Sequence, residues 1–417
     1  MPQSNFAILL KMTTVHDMTT TSPIGTRYVV GCMTGTSLDG IDGALTKITG
    51  IGLSLNAEFV GLVSKPFDNN LRDTLLALTK NEPAKPIDFM QAARTLGQFH
   101  ADTIAALLNQ YLPENQAPAF AVAHGQTIWH APTQTKNAPS LSWQLFDPWP
   151  IVHQLKIPVC YDLRQADLIA GGQGAPITPL ADYILFQERA NLIINLGGIC
   201  NVTAWDNSTT ASNINAIQGQ DIYPCNLITD GLTQRLFPPA KYDQDAHLAS
   251  SIAQVPDPCI EMISQRINTA IDCHHSLGRE QLNDHWLNQL IDDFSSNFAS
   301  QFPATGDLSI KHAILAASNH AIANQICIRT QTYNPTHILL AGGGAKNPLV
   351  TKLLTKAWLD SSAETVQTTD AAGIPCEARE AVAFAILGAL SQDSIPITLP
   401  QITHADNPSR AGTWVYP

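Results

Sequence analysis

The chain has 417 residues, 44% of them apolar and 14% charged, which is enough to bury two packed cores in an ordinary globular composition. With 23 Lys and Arg against 35 Asp and Glu, its formal charge of −12 excludes a surface built for nucleic acid phosphates or anionic membranes. The eight cysteines stand singly, with no CxxC pair, which argues against a zinc site or a disulfide scaffold and for reduced thiols in a cytosolic protein.

No apolar run approaches the ~20 residues needed to span a bilayer, and no secretory leader is legible. Residues 1–26 hold a short apolar stretch and then a Thr-rich one; they read as a disordered extension, or as an upstream start with Met12 or Met18 as the true beginning. The next run, 28–30, is β-like and leads into Gly35-Thr36-Ser37-Leu38-Asp39-Gly40-Ile41-Asp42, after which 43–48 resumes an apolar strand. A hairpin with a Gly-rich polar tip is the simplest structure. Residues 89–111 carry apolar side chains at helical spacing, and 119–123 form a buried strand ending in His124-Gly125-Gln126-Thr127.

A short strand at 158–161 leads to Asp162-Leu163-Arg164-Gln165-Ala166-Asp167 and the loop Gly171-Gly172-Gln173-Gly174. The run 191–196 is a strand that stops at Gly197-Gly198 and continues beyond the turn, a second strand–turn–strand unit like the first. Residues 206–215 read as a polar hairpin tip, and 257–298 and 310–330 as helical. The strand 337–340 delivers Gly342-Gly343-Gly344 to a helix start, a setting in which backbone approaches nucleotide, and 377–390 is a final alanine-rich helix. Strands alternate with helices throughout, so the class is α/β, in two lobes with a cleft between them.

Several of these segments together resemble the anhydro-N-acetylmuramic acid kinases, in that family's order from about residue 28 onward. They are Gly31-x-Met33-Thr34-Gly35-Thr36-Ser37-Leu38-Asp39-Gly40-Ile41-Asp42, His124-Gly125-Gln126-Thr127, Asp147-Pro148, residues 164–176, Asn195-Leu196-Gly197-Gly198-Ile199-x-Asn201, Gly278-Arg279-Glu280, Gly342-Gly343-Gly344-x-x-Asn347-Pro348, Thr368-Thr369 and Glu380-Ala381-x-Ala383-Phe384-Ala385. The resemblance implies a duplicated ribonuclease-H-like (actin/hexokinase-like) two-domain fold with an interdomain cleft. The expected division is 1–26, an N-terminal extension; 27–185, a first lobe with the phosphate hairpin and sugar loops; and 186–417, a second lobe with nucleotide loops. It also implies ATP and Mg²⁺, a cytoplasmic homodimer and an anhydro amino sugar as substrate. The reaction implied is opening of the 1,6-anhydro ring by water with transfer of the γ-phosphoryl group to O6, a step of peptidoglycan recycling.

Under that resemblance, residues 35–42, Asp221, Asn226, Gly342, Gly343, Gly344 and Asn347 face the nucleotide, with Asp39, Asp42 and Glu380 as metal candidates. Asp167 takes the role of general base, with Asp162 as its rival, and Arg164 pairs with a substrate carboxylate or with Asp167. His124, Gln126, Thr127, Gly172, Gln173 and Gly174 are the sugar contacts, the glycine loop through its backbone donors, while His124 reads equally as an interior histidine. One loop departs from the family: its second phosphate loop, Asp-Thr-Gly-Pro-Gly-Asn, is here Asp221-Ile222-Tyr223-Pro224-Cys225-Asn226. Phe146 and Leu277 replace a glycine and a threonine. A non-catalytic sugar- or nucleotide-binding relative, or a kinase for another amino or anhydro sugar, are the alternatives; a chaperone-like ATPase would need a peptide-binding module that the sequence lacks.

Overall fold

The computed structural model describes residues 25–35, 38–79, 83–132, 139–206, 213–252, 254–271, 282–302, 307–361 and 363–417. The expected N-terminal extension up to residue 24, Thr36, Ser37, most of the tip at 206–215, Leu277 and Gly278-Arg279-Glu280 lie outside them.

The chain opens with an antiparallel meander, β1 (Thr26–Met33), β2 (Gly40–Thr49) and β3 (Asn56–Pro66), followed by helices α1 (Asn69–Thr79) and α2 (Pro86–Tyr111). Next come β4 (Pro118–Ala123), the separate hairpin β5 (Gln126–Ala131) and β6 (Leu141–Leu145), α3 (Trp149–Leu155), β7 (Val159–Tyr161), α4 (Gln165–Ile169) and α5 (Pro179–Phe186). A second meander of β8 (Leu192–Leu196), β9 (Ile199–Ala204) and β10 (Gln218–Pro224) leads to α6 (Asn226–Leu236), α7 (Asp257–Ala270), α8 (Asp284–Phe298) and α9 (Asp307–Thr330). The chain closes through β11 (His337–Ala341), α10 (Pro348–Leu359), β12 (Thr365–Thr368), α11 (Arg379–Gln392), α12 (Pro400–Thr403) and β13 (Thr413–Val415).

The two sheets repeat one another. Five strands of the first run β3-β2-β1-β4-β7, and the second runs β10-β9-β8-β11-β12. In both, the first three strands in sequence are antiparallel and the last two join parallel to the first. This is the duplicated ribonuclease-H-like arrangement that the resemblance implied. The sixth strand of the first sheet is β13, which pairs antiparallel with β7.

Burial on both faces explains why the central strands are continuous apolar runs instead of alternating ones. On β4, Phe120 and Val122 point into the core between the sheets while Ala121 points into the core beneath α2. On β8, Ile193 enters the same middle core while Leu192 and Ile194 enter the core under α6–α10. The middle layer holds α5 and α11, and α11 is buried at every position from Ala381 to Leu390, as expected of a helix without a polar face. It lies against β1, β2 and β4. At Gly31 the sheet backbone comes so near α11 that an added methyl would lie 2.7 Å from the Ala385 nitrogen. Seven of the cysteines are buried free thiols.

Beside α11's first turn, Arg379 donates through Nε to Asp182 Oδ1 at 2.7 Å and through Nη2 to Asp182 Oδ2, while Thr203 Oγ1 donates to Asp182 at 2.7 Å. This buried pair ties α11 to α5 and to β9 of the second sheet. Charges shielded from water this way are tolerated because each is matched and hydrogen-bonded.

Candidate active site

The site forms at the carboxyl ends of β1, β4 and β7, where the parallel strands release their connecting loops. The β1–β2 turn is tied to the loop after β4: Thr34 Oγ1 donates to the Gly125 carbonyl at 2.6 Å, Gln126 Nε2 to the Gly35 carbonyl at 3.2 Å, and the His124 amide to the Cys32 carbonyl at 3.1 Å. Leu38 takes a left-handed φ of 56°, which turns the chain toward Asp39. Ser64 Oγ donates to Asp42 at 2.5 Å. Burial, then the negative charges of Asp39, Glu380 and Glu377, push the Asp42 carboxyl above the usual range, partly offset by the Ser64 bond.

The short helix α4 carries the chemistry expected of the second segment. Asp167 is fully buried; its Oδ2 accepts from the Gly174 amide at 2.8 Å and its Oδ1 from Thr403 Oγ1 at 2.6 Å. The amides of Gly172 and Gln173 donate to the carbonyls of Asp167 and Thr403 at 2.9 and 2.7 Å. The three loop donors expected to face the sugar are therefore spent on holding the loop over its own carboxylate. Positive φ at Gly171 and Gly174 makes that fold-back possible.

Arg164 reaches across this loop. Its Nη1 donates to the Gly174 carbonyl at 2.6 Å, and Nε and Nη2 meet His124 Nε2 at 3.0 and 2.8 Å. Since the guanidinium only donates, His124 Nε2 is the acceptor, and the ring proton sits on Nδ1, which donates to the Gly125 carbonyl at 2.8 Å. Burial first, and Arg164 second, hold His124 well below the usual histidine range. The histidine is thus spent orienting Arg164, the interior role that the sequence left open. Burial lowers Arg164 to about 10, opposed by the charges of Glu380, Asp221 and Asp167. Asp162, the rival base, is partly exposed at a left-handed φ of 56°, its carboxyl raised by burial.

The second sheet contributes its own end. Asn195 Nδ2 donates to Glu380 Oε1 at 3.3 Å, and Asn226 Nδ2 to the Leu196 carbonyl at 3.2 Å. Gly342 and Gly344 pass against these asparagines, where a methyl would stand 2.7 Å from Asn195 Oδ1 and 2.8 Å from Asn226 Oδ1; Gly343 is open. Asn347 caps α10, accepting from the amides of Leu349 and Val350 at 3.1 Å each.

The departures from the family loop turn away from the site. Ile222, Tyr223 and Cys225 are buried in the core beneath α6 and α9, and Arg329 lies over the Tyr223 ring at 5.1 Å. No residue from 222 to 225 has a positive φ. The amides of Cys225 and Asn226 donate to the carbonyls of Gly198 and Gly197.

For a divalent metal the donor set is hard carboxylate oxygen, with Asp39, Glu380 and Glu377 close enough to act on Asp42 after burial itself. Among the described residues no three acids converge closely enough to enclose an ion by themselves. An ion that keeps most of its waters suits such a set. Sequence reasoning missed Thr403, which reaches Asp167 from 236 positions away in sequence and leaves no local signal.

Residues 27–417 match the family described as anhydro-N-acetylmuramic acid kinase. Curated relatives of that name from Bacillus cereus (strain AH820) and Bacillus anthracis (strain CDC 684 / NRRL 3495) are each 28% identical over 392 residues, covering 94% of this chain and 99% of theirs. Among solved structures, the (R)-2-hydroxyglutaryl-CoA dehydratase component A of Acidaminococcus fermentans aligns at 12% identity with a TM-score of 0.46, covering 88% of this chain and 99% of that one.

Proposed function

The chain belongs to the anhydro-N-acetylmuramic acid kinase family, and from that premise we propose that it opens the 1,6-anhydro bridge of 1,6-anhydro-N-acetylmuramic acid while phosphorylating O6. A kinase of this family transfers a phosphoryl group to a sugar hydroxyl; the finer proposal concerns how the hydroxyl is made. Water adds to the anomeric carbon, the bond from that carbon to O6 breaks, and O6 takes the γ-phosphoryl group as the bond to ADP breaks. The proton of the attacking water passes to Asp167. The products are N-acetylmuramic acid 6-phosphate and ADP, as a step of peptidoglycan recycling.

The observation that carries this reading is the placement of Asp167 and Arg164 on one short turn, joined through His124 to the loop after β4 and within the field of Asp221 on β10 and Glu380 on α11. The carboxylate uses one lone pair on each oxygen for Gly174 and Thr403, which leaves acceptor capacity for a water. Arg164, fixed by His124, supplies positive charge where a sugar carboxylate or the moving phosphoryl group gathers negative charge. Asp39, Asp42 and Glu380 would hold Mg²⁺ through its waters, and when bound that ion neutralises phosphate charge. Glycines 35, 40, 342 and 343 admit phosphate and adenosine close to backbone, with Asp221, Asn226 and Asn347 framing the same end. The proposal includes residues 27–185 and 186–417 as lobes that close on the substrates, with 379–415 returning to the first, in a cytoplasmic homodimer. Because the altered side chains at 222–225 are core residues, the loop gives no support to a non-catalytic relative.

The test is to incubate the protein with Mg·ATP and the anhydro sugar in ¹⁸O-water and follow products by mass spectrometry. One heavy oxygen on C1 of a sugar 6-phosphate, with one ADP per turnover, supports the proposal. Phosphorylated sugar that keeps its anhydro bridge, or carries no label, sinks it.

A further inference from the structure

Residues 397–411 form a strap that joins the two sheets. On one side α12 rests against the entry to β10: Gln401 Nε2 donates to the carbonyls of Ile214 at 3.0 Å and Ile217 at 3.3 Å, and a methyl on Gly219 would stand 3.2 Å from Ile402 Cδ1. On the other side the strap grips α4 and the turn after it. The Asp406 amide donates to the Ala170 carbonyl at 2.7 Å, and Ser409 Oγ to the Ala166 carbonyl at 3.3 Å. Thr403 and Asp167 meet within this grip, and both are fully buried.

Thr403 has one hydroxyl proton and two acceptors near it, Asp167 Oδ1 at 2.6 Å and the Leu399 carbonyl at 3.4 Å. That carbonyl already accepts from the amides of Ile402 at 2.8 Å and Thr403 at 3.0 Å, which fills its two lone pairs. The proton therefore goes to the carboxylate, where the contact is short and charge-assisted. The Thr403 carbonyl takes part in the same clamp. It accepts from the Gln173 amide at 2.7 Å, and the next amide, that of Gly174, is the donor to Asp167 Oδ2 at 2.8 Å. One residue thus governs both oxygens, Oδ1 directly and Oδ2 through the loop. The last torsion of an aspartate is broad, so these two donors set the plane of the carboxylate and the direction of its free lone pairs. Any residue at 403 could supply the carbonyl; only the hydroxyl depends on the side chain.

We propose that Thr403 is a positioning residue for the general base: its hydroxyl fixes the Asp167 carboxylate so that a free lone pair meets the attacking water. This rests on the function proposed above. A base turned out of line loses rate without loosening the substrates. Because the strap also rests against the second sheet, the base is held from both sides of the molecule.

The test is steady-state kinetics with Mg·ATP and the anhydro amino sugar on wild type, Thr403→Val, Thr403→Ser, Asp167→Asn and the double variant Thr403→Val with Asp167→Asn. Valine keeps the shape and removes the hydroxyl; serine keeps the hydroxyl and removes the methyl. The expected result is a kcat about tenfold lower in Thr403→Val, with the KM of both substrates held, and a kcat within about threefold of wild type in Thr403→Ser. On the residual rate of Asp167→Asn, adding Thr403→Val costs nothing further, since a residue that acts through the carboxylate has nothing left to position. A merely structural residue would lower both backgrounds alike. If Thr403→Val does not fold, Thr403→Ala takes its place with the same expectations. An unchanged kcat in Thr403→Val, a raised KM with kcat held, a loss that serine does not repair, or a further loss on the Asp167→Asn background overturns the positioning role; an inactive Asp167→Asn beside an active wild type leaves the proposed function standing. An Asp167→Asn as active as wild type, or a wild type that forms no sugar phosphate, overturns both.

Discussion

Replacing Gly172 by alanine tests the general base without touching its chemistry. Gly172 does not sit at a positive φ, so alanine suits its backbone, and any effect is steric. The new methyl would stand 2.6 Å from Asp167 Cγ and 3.0 Å from the Ala405 methyl, closer than real side chains approach. The carboxylate must shift, and it is held at 2.8 Å by the Gly174 amide and at 2.6 Å by Thr403. Overpacking costs about 1–3 kcal/mol, and losing one hydrogen bond to a charged group about 1.5–3 kcal/mol. The expected loss of stability is therefore roughly 2.5–6 kcal/mol. A positioned general base is worth about 10²- to 10⁴-fold, so kcat should fall at least on the order of a hundredfold while the KM for ATP holds. Urea unfolding and steady-state ADP release measure the two. A destabilised variant whose kcat stays within about threefold of wild type refutes Asp167 as base; an undiminished stability refutes the steric reasoning.

Asp230, pushed up to about 7 by burial and by Asp39, keeps its proton in the native state where the unfolded chain has lost it. Native protein thus binds more protons across the window from about 4 to 7, and stability should fall as pH rises through it. Asp230→Asn should flatten that slope in melting curves, and an unchanged slope assigns it elsewhere. Cys225→Gly, which restores the family's glycine, should leave the KM for ATP unchanged and cost about 1–2 kcal/mol of stability, because it empties a core position; a tightened KM would show that the thiol does obstruct phosphate. Arg379→Met should cost about 3–5 kcal/mol by stranding Asp182, and Arg379→Met with Asp182→Leu should cost less than the first change alone, read by urea unfolding.

Where each apolar run lies was legible because strands buried on both faces leave continuous runs such as 119–123 and 191–196, and the motif glycines mark their ends. The direction of the hydrogen bonds was not. Gly172, Gln173 and Gly174 read as donors to a sugar, but only folding shows that a buried carboxylate and the Thr403 carbonyl claim their amides. Ile222, Tyr223 and Cys225 read as intrusions into a phosphate loop, since no local pattern tells which way a side chain leaves the backbone beside a turn. His124 was left between two roles because its partner, Arg164, lies 40 positions away.

The return of α11 and β13 to the first sheet sets an order of assembly during synthesis. Strands β8 to β12 and their helices are contiguous, so they can collapse while the ribosome is still at work. The earlier-made sheet has to wait, since its covering helix and its last edge strand, paired through Val415 and Val159, are translated at the very end. A nascent chain halted at residue 378 should therefore protect its later half from protease and leave 27–185 open to cutting; equal protection of both would show that the older strands fold without their cover.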